Sequence, residues 1–554
     1  MRRGPRDASA GVRRYAPLIG ILAIAAIARY WAIDFCVPFD QCRPDEDATQ
    51  SIVIRVFRRT YNPLFFDWPT LFMYAVTLSL VPYFKFGWLM GWFRGEGHFI
   101  EYTGFATGQV IIHARLVNAT AGLFSVWVIY RIALRLFDRT TALVAALFLA
   151  LAYLHARDSH FGVPDVTLVM FVLLTFLWTL RFAESGRTRD LVVAAAMAGF
   201  AASTKYNGAL SILPLVWVVI RPRAASPEPR AFSATLRRLA SAGGVMVAAF
   251  VATTPYSVLD WERFSAALRG ISEHLAQGHG VMLGRGWVSH FSLSLWYGLG
   301  WPLLLSGVIG LALYLWRAPR QGILLALFPV TYYLALGSGF TVFARYILPV
   351  VPFLCLGAAF AVVLLARWLA DRLGQPARMP IVAGILAAFV VAPSAWSVLQ
   401  FNRILARPDS RVIASNWILA QFPEGATINT VGRWSTRPQL HVYGHGRSRR
   451  HPVVDIYDPA APAAPDLIVS ATTLVAPGSP GSEATDEIRA QLAKYTPVLV
   501  IEAFDETSTR LVYDWQDEFY IPLAGYGDVV RPGPKLTIYA RPDLAAAKGL
   551  PPVR

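Results

Sequence analysis

The sequence predicts a polytopic α-helical membrane domain followed by a C-terminal soluble α/β domain. Three observations predict it. Of the 554 residues, 55% are apolar and only 16% charged, too greasy a balance for a soluble chain of this size. Apolar runs of membrane-spanning length recur from Tyr15 to Gln400. From residue 401 no such run occurs, and Pro, Asp and Arg become common. The expected units are therefore 1–400 in the membrane and 401–554 outside it, the latter long enough to bury a core of its own. No fixed-period repeat is visible, and Ala225 to Arg230 reads as a short Pro-rich loop. The first apolar segment has no small-residue cleavage site and reads as a retained helix.

The net charge of +16 invites a nucleic-acid partner, but its placement argues for lipid. The arginines cluster at the ends of the apolar runs, as the positive-inside rule requires, so membrane lipids are expected and nucleic acid is not. Arg2, Arg3, Arg6, Arg13 and Arg14 put the N-terminus in the cytoplasm. Arg131 to Arg139, Arg181 to Arg189, Arg221 to Arg238, Arg317 to Arg320 and Arg367 to Arg378 follow it there. Spans near 16–35, 113–137, 140–156, 163–182, 190–204, 208–220, 236–256, 291–316, 320–336, 343–367 and 380–400 satisfy these clusters. That makes about eleven transmembrane helices, an odd number, which places the C-terminal domain on the opposite face. The segment Pro63 to Phe93 is apolar too. Asp67, Pro69, Pro82 and Lys85 suit a broken interfacial stretch within the first external loop, while Arg43, Arg55, Arg58 and Arg59 count against an external place.

The pair 190–204 and 208–220 reads as a hairpin with Lys205-Tyr206-Asn207 at its tip. Each arm covers about 20 Å, short of the roughly 30 Å hydrocarbon core, so the tip sits below the external surface. A lysine at that depth either snorkels or faces an anionic partner. In the C-terminal domain, Asp409 to Gln421 and Glu483 to Ala493 read as helices. Ala426 to Val431, Asp466 to Ser470, Pro497 to Ile501 and Lys535 to Ala540 read as strands. Nothing there has a catalytic pattern; Arg447 to Arg450 reads as a solvated loop, and the domain is expected to cover the membrane part.

Chemistry-bearing residues gather on the expected external side. In Arg43-Pro44-Asp45-Glu46-Asp47, Pro44 suits the first helical position and the acids the first turn. This is either an interfacial helix with charges matched to its dipole or a carboxylate placed to take a hydroxyl proton. In His155 to Asp165, Pro164 opens a helix and leaves Asp165 in its first turn. Arg115 and Arg345 begin helices on the same side and, with Lys205, point to a polar cavity suited to an amphiphile with an anionic head. His274, His279 and His290 fit no ligand spacing and are expected at the surface or in the core. No zinc spacing is present, no metal ligand set is assigned, and participation of a divalent cation is left open. Cys36 and Cys42 share the first loop, where a disulfide is chemically permitted; Cys355 lies within a span.

These segments, in this order, resemble the GT-C superfamily of polyprenyl-phosphate-sugar glycosyltransferases. The nearest in pattern are the protein O-mannosyltransferases and the bacterial aminoarabinose transferases of lipid A. Asp45-Glu46, Arg115 to Gly122, Arg157 to Asp165, Thr204 to Gly208 and Arg345 to Pro349 carry the likeness, which runs from about residue 16 to 400. The His-Pro-Pro-Leu of many relatives is replaced here by Phe66-Asp67-Trp68-Pro69-Thr70-Leu71. The resemblance implies a GT-C fold, with Asp45 as catalytic base, Glu46 beside it and Asp165 as a second acid. It implies Arg115, Lys205 and Arg345 on the donor phosphate, Arg115 foremost. The implied reaction moves a hexose or pentose from a polyprenyl-phosphate carrier, such as undecaprenyl phosphate, to a hydroxyl of a lipid, glycan or protein. It would run by inverting displacement at the periplasmic face of a bacterial plasma membrane.

Two rivals come from other classes. A transporter or flippase of lipid-linked sugars would also carry polar residues at membrane depth, but no inverted repeat is visible and the candidates gather on one face. A membrane-anchored binding or assembly protein would leave the loop carboxylates unexplained.

Overall fold

The computed structural model describes residues 5–39, 42–103, 107–221, 232–440, 453–454, 464–475 and 486–553. Ala225 to Arg230, Arg447 to Arg450 and the first two arginines lie outside them. Each segment expected to span holds helix: Pro5–Tyr30, Gln109–Leu136, Arg139–Leu151, Asp165–Ser185, Thr188–Thr204, Tyr206–Ile220, Phe232–Thr253, the pair Gly286–Leu299 and Trp301–Arg317, Pro319–Gly337, Ala344–Arg372 and Met379–Leu405. Among the described residues, five helices are long and apolar enough to cross a membrane, six if a bent pair counts as one span.

That pair corrects the expectation of one continuous span over 291–316. Gly286–Leu299 and Trp301–Arg317 meet at 113°. Gly300 between them has φ +75°, where glycine alone is unstrained, and Pro302 opens the second helix. The second helix lies close against Val351–Arg372, because a Cβ at Gly310 would overlap the Gly357 carbonyl. Small residues of this kind let membrane helices approach backbone to backbone.

Pro63 to Phe93 is not broken as expected. It holds an uninterrupted helix, Leu71–Leu89, running through Pro82. At 1.5 Å per residue this is about 28 Å, close to a hydrocarbon thickness. Phe72, Met73, Val76 and Leu80 are buried, while Leu78, Phe86, Trp88 and Leu89 face outward, so the outer face offers lipid an apolar stripe.

The two ends of the bundle differ in chemistry. At one end Arg135 pairs with Glu184, and Arg367 pairs with Asp138. Asp138 also caps Arg139–Leu151 by accepting from Thr141 N–H at 2.9 Å. Some twenty residues away along the same helices, roughly 30 Å, lie Arg115, Asp165 and Arg345. Arg115 contacts Glu46, so the chain from 46 to 115 returns to the end it left.

Beyond Leu405 the chain enters the sheet unit. Asp409 caps Ser410–Gln421 by accepting from Arg411 N–H at 2.9 Å. The sheet strands are β1 (Ile428–Val431), β2 (Val453–Val454), β3 (Leu467–Thr472), β4 (Thr496–Ile501) and β5 (Lys535–Ala540). Their order is β2-β1-β3-β5-β4; β1 is parallel to β2 and β3, and β5 is antiparallel to β3 and β4. The four expected strands are present, and β2 is an addition too short to carry a sequence pattern. Ala414 and Ile418 of the helix pack on Ile428, Leu536 and Ile538. A second apolar cluster is shared between the units: Phe35, Tyr153, Phe161 and Phe401 interleave with Tyr513, Phe519 and Ile521. The sheet unit is thus seated on the end of the bundle that bears Arg115 and Arg345.

Candidate active site

At that end a cleft of about 400 Å³ is lined by Asp45, Asp67, Asp165, Lys205, His274, His279, Arg345 and Tyr346 among others. Four of the six residues singled out from the sequence meet there. Three carboxylates face two cations.

Asp45 does not sit within a first helical turn opened by Pro44, as expected. It is the residue before the helix Glu46–Phe57, held at φ +72°. The left-handed backbone, which Asp tolerates better than most residues, turns its carboxylate out of the helix. The side chain remains 35% exposed and accepts from Arg345 Nη2 at 2.7 Å. Glu46 points the other way. Its Oε1 accepts from Arg115 Nε at 2.8 Å and from Gly162 N–H at 2.7 Å, and its Oε2 from Arg115 Nη2 at 2.6 Å.

The expected phosphate role of Arg115 meets a geometric obstacle. Its guanidinium is fully buried, forked onto Glu46, and donates twice more to Ile33 and Phe35 carbonyls at 3.0 and 2.7 Å. The Phe35 ring stacks 3.6 Å away. Neither Glu46 nor Arg115 lines the cleft. Together they buckle the first loop to the Gln109–Leu136 helix and to the turn before Asp165.

Asp165 stands in the first turn of its helix, as expected, after Pro164. Asn118, one turn beyond Arg115, fixes that start. Its Oδ1 accepts from the N–H and hydroxyl of Thr167, both at 3.0 Å, while its Nδ2 donates to the Asp158 and Phe161 carbonyls. Lys205 is extended, at φ −146°, just past the Thr188–Thr204 helix. The chain then folds back tightly enough that a Cβ at Gly208 would overlap the Ala201 carbonyl. The Lys205 ammonium reaches Asp165 Oδ1 at 2.6 Å and lies 4.7 Å from the Tyr346 ring centroid. It has an anionic partner and does not snorkel.

His155 and His160, close to Asp165 in sequence, are not in the cleft. Arg139–Leu151 stops at Ala152 and leaves carbonyls without helical partners; Arg29 donates to those of Leu149 and Ala150 and to His155 Nδ1 at 2.9 Å. His160 lies against the Ala156 and Trp31 carbonyls.

Three cleft residues were not anticipated. His274 and His279, expected at the surface or in the core, line it from the end of Trp261–Gln277 and the turn beyond, their rings 5.2 Å apart. Burial lowers the pKa of His279, with His274 adding to the effect. Asp67 is the third. Burial and then the nearby Asp45 carboxylate raise its pKa, against the pull of His274. Its departure from the His-Pro-Pro-Leu pattern was the available signal. The histidines, five residues apart across the end of a helix, gave none.

Among the described residues, one trio of metal-type ligand atoms gathers, Cys36, Cys42 and Asp409, but the two sulfurs are spent in a Cys36–Cys42 disulfide. Asp45, Asp67 and Asp165 line the cleft but do not gather into a second such group among the described residues. A larger cavity, about 570 Å³, lies between Trp396 and the Arg510–Asp528 pair and contains none of these groups.

The comparisons with known proteins agree with this architecture. Residues 100–256 match a family model described as dolichyl-phosphate-mannose-protein mannosyltransferase. No curated protein matches the chain in sequence. In structure it is similar to ArnT from Cupriavidus metallidurans in the apo state, with TM-score 0.55, 17% identity, and 97% of this chain and 99% of that one covered. It is similar to the same protein bound to undecaprenyl phosphate, with TM-score 0.54, 17% identity, and 96% and 99% covered. The archaeal oligosaccharyltransferase AglB from Archaeoglobus fulgidus, in complex with an inhibitory peptide and a dolichol-phosphate, gives TM-score 0.51 at 11% identity, with 90% and 74% covered. Over nearly its whole length, then, the chain shares the fold of ArnT, and over most of it that of AglB.

Proposed function

We propose that the protein transfers a sugar from a polyprenyl-phosphate carrier to an acceptor hydroxyl in this cleft, on the face of the membrane opposite the arginine-rich helix ends. One observation carries the reading: three carboxylates and two cations converge in one cleft at the end of a membrane bundle. A sugar leaving a lipid phosphate passes negative charge to the leaving group. Cations already fixed around that position stabilise the transition state without reorganising. Lys205 and Arg345 supply them. The attacking hydroxyl needs a base, and Asp45, whose carboxylate turns out of its helix and is 35% exposed, is assigned that role. Asp165 positions Lys205. Arg115 and Glu46 act at one remove, by holding Asp45 and Asp165 in register.

The displacement needs one base and no covalent nucleophile, so inversion at the anomeric carbon is the economical course. The lipid tail stays in the membrane, which confines the phosphate to the boundary where the cations lie. In a bacterial cell this face would be periplasmic. The bundle end bearing Asp45 also supports the sheet unit, so residues 401–554 belong on that face. The experiment is incubation of the purified protein with radiolabelled polyprenyl-phosphate sugars. Release of sugar, and its transfer when an acceptor is added, supports the reading; retention of label on the lipid with every donor and acceptor class rejects it.

A further inference from the structure

The loop 513–519 of the sheet unit reaches into the membrane domain directly behind the cleft. Asp517, 1% exposed, accepts from Arg43 Nη1 at 2.8 Å and lies 3.5 Å from Arg345 Nη1 and 4.0 Å from Arg157 Nη2. Arg345 therefore lies between two carboxylates, hydrogen-bonded to Asp45 in the cleft and 3.5 Å from Asp517 behind it. The backbone leading to Arg345 is held by the same loop. Ala344 N–H donates to Asp514 Oδ2 at 2.9 Å, Val342 N–H donates to the Gln516 side chain, and the Gln516 amide donates to the Phe340 carbonyl at 3.2 Å.

We propose that Asp517 is a positioning residue for the Arg345–Asp45 pair, so that the C-terminal domain builds part of the cleft as well as covering it. The inference rests on the proposed function. Three buried arginines approach Asp517, which among the described residues is the one carboxylate within 4.0 Å of all three. Arg345 Nη2 already meets Asp45 at 2.7 Å, while Nη1 faces Asp517. Removing a counterion leaves a buried cation uncompensated. Without Asp517 the rear of the Arg345 guanidinium has no anion opposite it, and the orientation of its contact with Asp45 is no longer fixed. Asp517 thus sets where the guanidinium presents itself to the carboxylate assigned to the acceptor hydroxyl.

A double-mutant cycle on single-turnover transfer tests this. Asp517→Asn should slow transfer on the order of tenfold in the parent background, a typical coupling for residues in contact. In an Arg345→Gln background the same change should cost less than about twofold, because the residue through which it acts is gone. A merely structural role predicts the same loss in both backgrounds. Equal losses, or no loss in the parent, overturn the inference while leaving the proposed function standing. Absence of transfer by the parent protein overturns the proposed function itself, a separate outcome. If Asp517→Asn does not fold, Arg43→Gln with Asp517→Asn removes one charge of each sign and restores the balance, and the cycle is run with that pair against Arg345→Gln.

Discussion

The Lys205 ammonium lies 2.6 Å from the Asp165 carboxylate, joining the end of one membrane helix to the start of another forty residues earlier. The pair is nearly buried, with side-chain exposures of 16% and 4%. A cation so placed is held ready for a second anion. Lys205→Met should therefore raise the donor KM by roughly ten- to a hundredfold, the worth of one charged hydrogen bond. Asp165→Asn should leave donor binding in place while transfer falls, since the ammonium loses its anchor but keeps its charge. Titration with polyprenyl phosphate, read beside transfer rates, separates the two. Equal donor affinity in parent and Lys205→Met would place the phosphate elsewhere.

Asp45 carries the sharpest kinetic expectation. Asp45→Asn keeps size and polarity but loses the carboxylate that takes the hydroxyl proton. Transfer at saturating donor should fall by about 10²- to 10⁴-fold, with donor binding retained. Asp47→Asn is the control. Asp47 does not line the cleft and stands in the first turn of its helix, where its charge serves the dipole alone, so Asp47→Asn should be nearly silent. A folded Asp45→Asn that transfers at the parental rate would end the base assignment.

For Glu46 and Arg115 the expectation concerns stability. Removing one member of a buried pair strands the other's charge, at a cost of about 3 to 5 kcal/mol. Glu46→Gln should lower the Tm clearly. The double change Glu46→Leu with Arg115→Met should lower it less, since neither charge is then stranded. If Arg115 instead binds the donor phosphate, Arg115→Met will lose donor affinity without the large drop in Tm.

How far the sequence carried the site can be judged residue by residue. Asp165 and Lys205 were legible because a helix start after proline and a cation at the tip of a short hairpin are local features. Asp45 was legible as a charge but not as a conformation, since its left-handed turn depends on the loop that precedes it. Arg115 and Glu46 were legible as chemistry but not as a buried pair. Nothing in their spacing shows that a fork of the one closes on both oxygens of the other across 69 residues. Asp517 was not legible at all. A carboxylate in Tyr513-Asp514-Trp515-Gln516-Asp517 has no pattern, and its meaning comes only from three arginines brought from distant segments. The bend at Gly300 was missed for a related reason: apolar composition continues through it, and a single glycine does not show that the chain turns.

The placement of residues 401–554 can be tested without activity. A cysteine introduced at an exposed position such as Glu506, in a Cys355→Ala background, should react with an impermeant thiol reagent on intact cells or spheroplasts. Protection until lysis would put the sheet unit, and the cleft it adjoins, on the cytoplasmic side.

The last expectation concerns pH and the seating of the loop. Asp514 is buried beside Asp517, and these two effects raise its pKa to about 7 against the pull of Arg157 and Arg345. Asp517 moves the other way: burial opposes its charge, but Arg43, Arg345 and Arg157 outweigh that cost and hold its pKa low. The two signs give opposite dependences. A carboxyl whose folded pKa is raised binds a proton in the folded state that the unfolded state has released, so its charging weakens the fold as pH rises from about 4 to about 7. A carboxyl whose folded pKa is lowered stabilises the fold above the ordinary carboxylate range and loses that contribution as pH falls toward 2. Asp514→Asn removes the first effect and spares the second, and its amide oxygen can still accept from Ala344 N–H. The variant should melt higher than the parent at pH 8, by about 1 °C for each kcal/mol recovered in a chain of this length. At pH 4, where the parental Asp514 is already protonated, the difference should vanish. Melting curves of parent and variant across this range, in one detergent and at one ionic strength, decide the matter. A variant that melts lower at pH 8 and equally low at pH 4 would show that the Asp514 carboxylate is needed charged, and that the arginines behind the cleft outweigh both its burial and its neighbour.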